Sequence, residues 1–212
     1  MNQIDLVRQT VVEFCVEFTR APYLCYTEHG QHALFHTMLY NALPEEQRFA
    51  IWYGNKVCVI QKEYSTAGNL GKSKRQHWDI AVIKTPPESI EGKPQAYDYL
   101  KLAAVVEFGM NEAKEHLVDD IERLSHPEAN VMQGFVVHLY RLSEPGAPFS
   151  RRDWSANSKS ILTPEEVGQL AQPAKAEDEP VEIYYAMHDS TGKHRSGVWS
   201  IKQGVIAQLS GG

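Results

Sequence analysis

"YLKLAAVVEFGMN", residues 99–111, is an apolar run that ends in an acid. Residues 102–106 are apolar at every position, so the pattern predicts a strand over 99–108 that is covered on both faces and lies near the centre of a sheet. Glu107 comes next, and a carboxylate in such a place is costly unless it is paired or binds a cation. Because side chains alternate along a strand, Glu107 and Gly109 share one face.

The other elements follow from hydrophobic periodicity and turn signals. The predicted helices are 3–19, 28–42 after the N-cap Thr27, 112–125 after the N-cap Asn111, and one short helix after Thr163. The other predicted strands are two that form a hairpin over 49–64 around Gly54–Asn55, then 77–84 and 130–142. Residues 143–180 are expected to form a loop-rich excursion, and residues 181–204 a C-terminal hairpin.

This order of elements predicts one α/β (α+β) domain over residues 1–212, built on a mixed central sheet that is flanked by helices. The core is expected over about residues 21–142. A composition of 42% hydrophobic and 23% charged residues is ordinary for such a domain.

Composition and charge exclude several classes of protein. No apolar run approaches the ~20 residues of a membrane span, and acids interrupt the N-terminal apolar stretch, unlike in a signal peptide. Cys15, Cys25 and Cys58 show no metal or redox spacing, which favours a reducing, cytoplasmic location. The net charge of −6 argues against a positive coat for nucleic acid, but it leaves open a local basic patch and a homo-oligomer.

Two more acids stand at positions where they can join Glu107. Asp79 lies in the preceding strand, and two carboxylates on adjacent strands suit Mg²⁺, which takes oxygen ligands. Glu28 lies in the first turn of its helix, on the flank of the apolar face. Simpler roles stay open: Glu107 at a strand end in solvent, Asp79 paired with the basic loop before it, and Glu28 stabilising its helix dipole.

In this order, "TEHGQHALFHTML", "QHWDIAVI", "LAAVVEFGMN", "HLVDDIERL" and "VMQGFVVHLYRL" resemble the core of the PD-(D/E)xK (restriction-endonuclease-like) nuclease superfamily, from about Glu28 to Leu142. The resemblance implies a metal-dependent nuclease fold. It implies that Asp79 and Glu107 bind Mg²⁺ or Mn²⁺ together with the backbone carbonyl of Phe108. It also implies that Glu28 helps through water.

The chain departs from this family pattern at two positions. Trp78 stands where the family has proline, and Gly109 stands where it has the lysine that positions the attacking water. Lys114, at the flank of the next helix, is a candidate substitute, although a solvated helix lysine that pairs with nearby acids is the simpler interpretation. The two main hypotheses are a nuclease, with impaired activity if Lys114 does not replace the lysine, and an inactive restriction-like domain that binds nucleic acid or a protein. A plain scaffold whose acids are merely solvated is the third.

Two further clusters carry charge or metal-binding groups. Lys72, Lys74 and Arg75 precede the strand of Asp79 and are candidates for contact with nucleic-acid phosphates, with a solvated connecting loop as the alternative. His29, His32 and His36 have a spacing that can bind Zn²⁺, but no fourth ligand is evident in the sequence, and a solvated helix flank is favoured.

Overall fold

Residues Leu102–Met110 form a strand, β5, inside a mixed sheet. The computed structural model describes residues 2–151, 153–155, 157–171 and 181–211. The strands are β1 (Phe49–Trp52), β2 (Asn55–Cys58), β3 (Ile60–Ser65), β4 (His77–Ile83), β5 (Leu102–Met110), β6 (Gly134–Ser143), β7 (Trp154–Ser155), β8 (Val181–Asp189), β9 (Gly197–Lys202) and β10 (Val205–Ser210). Within the described ranges, the main sheet has eight strands in the order β10, β9, β8, β6, β5, β4, β3, with β7 beside β6.

The strands at the centre of this sheet are parallel, and those toward its edges are antiparallel. β5, β6 and β8 run in the same direction, with β6 between the other two. β3, β4 and β5 form an antiparallel meander on one side, and β8, β9 and β10 form another on the other side. The predicted mixed central sheet flanked by helices is therefore confirmed.

Helices cover both faces of the sheet. They are α1 (Gln3–Arg20), α2 (Glu28–Ala42), α3 (Lys114–Leu124) and α4 (Pro164–Leu170). α1 and α2 pack on one face around Phe14, Phe35 and Phe108, whereas α3 and α4 pack on the other face with Tyr140 and Tyr185. Among the described residues, no helix has the length and apolar character to cross a membrane.

One of the two predicted helix caps differs from the prediction. Thr27 caps α2 as predicted, by accepting a hydrogen bond from the Gly30 amide. Asn111, however, does not cap α3, which begins at Lys114. Asn111 has a left-handed backbone with φ of 58°, a conformation that asparagine tolerates, and its Oδ1 accepts a hydrogen bond from the Arg141 amide at 2.8 Å. The side chain therefore serves β6 and not the helix.

The hairpins also differ from the predictions. Trp52 pairs with Asn55, so the first hairpin turns at Tyr53–Gly54, where both residues have positive φ, and not at Gly54–Asn55. The C-terminal segment is more than a hairpin over 181–204, because β10 adds a third strand beyond it. β8 lies beside β6 near the centre of the sheet, so the core extends well beyond residues 21–142.

Arg141, in β6, is buried and connects three parts of the chain. Its Nε donates to Asp153 Oδ1 at 2.7 Å, and both side chains are 0% exposed. Its Nη1 and Nη2 donate to the carbonyls of Pro22 and Tyr26 at 2.9 and 3.1 Å, in the connection between α1 and α2. Tyr23 donates its hydroxyl to the other oxygen of Asp153 at 2.6 Å. The guanidinium thus holds the segment that leads into α2.

Replacing Asp153 with Ala should lower the free energy of unfolding by about 3–5 kcal/mol, because it leaves the buried Arg141 without its counter-ion. Urea denaturation followed by circular dichroism measures the change. The matched control is Glu144→Ala, which removes the exposed pair with Lys193 and should cost less than about 1 kcal/mol. Equal losses in the two variants would contradict a special role for the Arg141–Asp153 pair.

Candidate functional site

The end of β5 has a neighbouring strand on one side only. Ile80 pairs with Val106, and beyond this pair β4 no longer accompanies β5. On the other side, β6 stays paired with β5 as far as Met110. On the side where β4 no longer pairs, the last residues of β5 therefore have backbone N–H and C=O groups without a strand partner. These groups need other hydrogen-bond partners.

Two of the predicted acids supply these partners. Asp79 Oδ2 accepts a hydrogen bond from the Phe108 amide at 2.8 Å, and Glu28 Oε2 accepts one from the Met110 amide at 3.1 Å. The amide and carbonyl of one residue point to the same side of a strand, so the Phe108 carbonyl also faces this open side. The structure therefore brings Glu28, Asp79 and the Phe108 carbonyl to one end of β5.

An irregularity in the β3–β4 pair turns Asp79 toward this place. Alternation along β4 would put Trp78 and Ile80 on the same face, yet Trp78 packs with the α3 side and Ile80 with the α1–α2 side. The pairs that flank the break are Lys62 with Ile80 and Tyr64 with Trp78. Glu63, between them on β3, has a left-handed φ of 54°. This irregularity in the pairing allows the Asp79 side chain to contact β5.

Glu107 is the most buried of the three acids, at 2% exposure. Burial and the nearby Asp79 raise the pKa of Glu107 well above its usual value, while Arg123 opposes this shift. Burial also raises the pKa of Asp79, although the hydrogen bond from the Phe108 amide opposes this shift. Burial likewise raises the pKa of Glu28. Glu107 is therefore not the solvated strand end of the simpler interpretation.

The ligand atoms of the three acids do not form a tight cluster. Among the described residues, the His, Cys, Asp or Glu group whose ligand atoms all lie within 4.8 Å of one another is His29, His32 and Glu63, not the three acids. His32 is 1% exposed, and its Nε2 lies 3.8 Å from Asp79 Oδ2. Burial lowers the pKa of His32 to about 4, so the ring is neutral at pH 7.

Two histidines occupy the space beside Gly109. A Cβ at position 109 would lie 3.1 Å from His138 Nδ1 and 3.4 Å from His116 Nδ1. Gly109 does not have a positive φ, so the closeness of His138, and not the backbone, favours glycine. Burial, followed by the charge of His116, lowers the pKa of His138 to about 4. Neither ring nitrogen of His138 makes a hydrogen bond of ordinary geometry, although the Glu112 carbonyl lies nearby.

Arg123 brings positive charge to Glu107. Its Nη2 lies 3.2 Å from Glu107 Oε2 and 2.7 Å from Asp120 Oδ1. Asp120 is 1% exposed, and its other oxygen lies 3.1 Å from His116 Nδ1. Asp120 raises the pKa of His116 to about 9. Lys114, by contrast, is exposed at the first residue of α3 and pairs with none of the three acids.

The loop that carries Lys72, Lys74 and Arg75 is partly held in place by contacts with the rest of the chain. Arg75 donates to the Thr66 carbonyl, pairs with Asp98 at 3.0 Å and stacks on Tyr99. Lys72 pairs with Asp119 of α3. Lys74 is exposed. The predicted phosphate-binding role therefore fits Lys74 and Lys72 better than Arg75, whose side chain holds the loop itself.

Replacing Glu107 with Gln should stabilise the chain at neutral pH. The folded-state pKa of Glu107 is above its unfolded pKa, so this residue destabilises the fold. The effect is absent below the unfolded pKa, grows as the pH rises between the two pKa values and is complete above the folded pKa. Arg123 keeps Asp120 as its partner in this variant. We expect a gain on the order of 1 kcal/mol at pH 8 that disappears near about pH 4. Thermal unfolding between these pH values, in EDTA, measures it.

Glu182→Gln is the control of opposite sign. Burial of Glu182 acts to raise its pKa, but hydrogen bonds from Arg8 and Lys202 outweigh burial and lower it. Glu182 therefore stabilises the fold above its unfolded pKa, and this contribution is lost as the pH falls through its folded pKa. The variant should melt lower than the wild type at pH 8 and approach it in acid. A Glu107→Gln protein that also melts lower at pH 8 would contradict our account of the buried carboxyl.

Comparison with known proteins adds no neighbour to this description. No family model, curated protein or solved structure matches the chain. The similarity to the PD-(D/E)xK superfamily therefore remains a prediction, based on the order of the elements and the positions of Glu28, Asp79 and Glu107.

Proposed function

We propose that the chain is a metal-dependent nuclease domain of the restriction-endonuclease-like type, acting on phosphodiesters. The observation that carries this proposal is that Asp79 and Glu28 accept hydrogen bonds from the Phe108 and Met110 amides at the open side of β5, next to the buried Glu107. The topology is compatible with it: the antiparallel β3–β4–β5 meander is followed by α3 and by β6, parallel to β5. The three cysteines are free, which fits the cytoplasmic location that we also propose.

The donor set fits Mg²⁺ or Mn²⁺. Carboxylate and carbonyl oxygens are the ligands of these ions, and Asp79, Glu107 and the Phe108 carbonyl supply them. Glu107 Oε1 is buried without a hydrogen-bond partner, so it can accept a cation. When bound, such an ion acts as a Lewis acid and lowers the pKa of water.

The chain's own groups would orient the reaction. The Phe108 and Met110 amides hold Asp79 and Glu28 in place, so neither carboxylate has to be ordered when substrate arrives. Lys74 and Lys72 lie on the loop that leads into β4, where they can contact the phosphates of a nucleic acid. Gly109 leaves no lysine beside Glu107, and Arg123 is the cation that contacts this acid.

The alternative is an inactive restriction-like domain that binds nucleic acid or a protein. Two observations favour it: the space beside Gly109 is filled by histidines, and Arg123 pairs with the carboxylate that a metal would need. A cation would have to compete with this pair for Glu107. Metal binding and cleavage therefore have to be tested separately.

Millimolar Mn²⁺ should raise the melting temperature of the wild type, because the ion binds the folded site and not the unfolded chain. Asp79→Asn combined with Glu107→Gln should abolish the shift and any cleavage of plasmid DNA or single strands. The control Glu46→Gln removes an exposed acid far from β5 in sequence and should keep both. A metal-dependent shift without cleavage supports the inactive domain. No shift in the wild type would remove the metal from the proposal.

Introducing lysine at position 109 tests whether the missing side chain limits activity. Gly109→Lys alone should lower stability by about 1–3 kcal/mol, because its Cβ meets the His138 ring. Gly109→Lys combined with His138→Ala makes room, and in an impaired nuclease it should cut faster in Mn²⁺ than His138→Ala alone. Equal cutting rates in these two variants would show that the lysine is not what the site lacks. Lys114→Ala should leave cutting unchanged, since Lys114 pairs with none of the acids.

A further inference from the structure

A second group of potential ligands lies at the beginning of α2. It consists of His29 and His32 of α2 and Glu63 of β3, and the ligand atoms of the three all lie within 4.8 Å of one another. His29 and His32 are three residues apart and so are neighbours on the helix surface. Glu63 comes from another element, which is why the histidine spacing in the sequence gives no indication of it.

His32 is the residue that points to a ligand. It is 1% exposed, and neither of its ring nitrogens makes a hydrogen bond. Asp79 Oδ2 lies 3.8 Å from its Nε2, which is beyond hydrogen-bonding distance. A buried polar atom without a partner is costly, and an ordered ligand would remove that cost. His29 and Glu63 are both exposed, so the position between the three side chains is open to solvent.

Glu63 can reach this position because it lies at the irregularity in the pairing of β3 with β4. Its φ of 54° is unusual for a residue other than glycine, asparagine or aspartate within a strand. With an ordinary strand conformation, Glu63 would take its place in the alternation between Lys62 and Tyr64. Here it stands apart from the ladder pairs on either side, with its carboxylate beside the two imidazoles.

We propose that His29, His32 and Glu63 bind a divalent transition metal, with Zn²⁺ as the first candidate. Two imidazoles and a carboxylate prefer such ions to Mg²⁺ or Ca²⁺. Ligands of tetrahedral Zn²⁺ stand at ~2.0–2.1 Å from the ion, so the exposed His29 and Glu63 side chains must close on it by rotation. Three protein ligands leave one position for water.

Two neighbours of this site have opposite effects on metal binding. With one ring nitrogen of His32 on the metal, the other is available to the Asp79 carboxylate, as is common for metal-bound histidine. Lys62, next to Glu63, is a nearby positive charge that disfavours a cation. The site differs from the acids of the proposed nuclease in its ligands and in the metals it selects, so it does not depend on that function.

Zn²⁺ titration by calorimetry and Co²⁺ titration by visible absorption test the site. The wild type should bind one Co²⁺ per chain with the bands of a tetrahedral ion. His29→Ala and Glu63→Gln, which change exposed side chains, should each weaken Zn²⁺ binding about tenfold or more. The matched control is His36→Ala, one turn further along α2 and outside the cluster, which should bind within about twofold of the wild type.

Glu107→Gln separates this proposal from the proposed nuclease function. It removes an acid of the β5 site and should keep the Co²⁺ spectrum and the Zn²⁺ affinity, whether or not the chain cleaves nucleic acid in Mn²⁺. The proposal is overturned if the wild type does not bind Zn²⁺, or if His29→Ala and Glu63→Gln bind it as tightly as the wild type. It is also overturned if His36→Ala or Glu107→Gln weakens binding as much as these two variants do.

Discussion

Beyond Val106, β5 has no strand on its β4 side, and this asymmetry governs the site. Backbone amides inside a protein must be hydrogen-bonded, and here carboxylates meet the requirement that a strand would otherwise meet. Asp79 and Glu28 are held by this need, one by the Phe108 amide and the other by the Met110 amide. The positions of both acids thus follow from the architecture of the sheet, before any ligand is considered.

The same region concentrates ionisable groups in a place where water is scarce. Glu107 and Asp120 are nearly inaccessible, and Arg123 lies between them. His116 completes the group on the far side of Asp120. Opposite charges offset one another here, but desolvation keeps such an arrangement from being a strong source of stability. Apolar side chains of similar volume in this space would give equal or greater stability.

Local pattern was sufficient for much of the fold. The apolar run of β5, the periodicity of α1 and the N-cap of α2 are properties of neighbouring residues, and the structure has them where the sequence predicts them. Glu28, Asp79 and Glu107 are candidates from the sequence because each stands at a recognisable place in its own element. The prediction of Asn111 as the N-cap of α3 is wrong because its side chain accepts a hydrogen bond from the Arg141 amide in β6. No local pattern in the sequence indicates that contact.

The parts of the site that the sequence missed depend on tertiary contacts. His138 sits in an apolar run and looks like any core residue until Gly109 is placed beside it. Arg123 lies on a helix whose charged residues all resemble a solvated face, and only packing shows which of them turns inward. Glu63 lies beside the two histidines because its left-handed φ interrupts the regular alternation of β3. No pattern in the sequence predicts that conformation.

The Arg141 contacts also bear on when the site can form during synthesis. Arg141 bonds to the carbonyl of Tyr26, 115 positions earlier in the chain, and to Asp153, 12 positions later. Glu28 begins the helix two residues after Tyr26, so its final position depends on residues that leave the ribosome much later. A nascent chain that ends before Asp153 carries all three acids but cannot neutralise the guanidinium that anchors the start of α2. The start of α2, and with it Glu28, is therefore fully anchored only when most of the chain has been made.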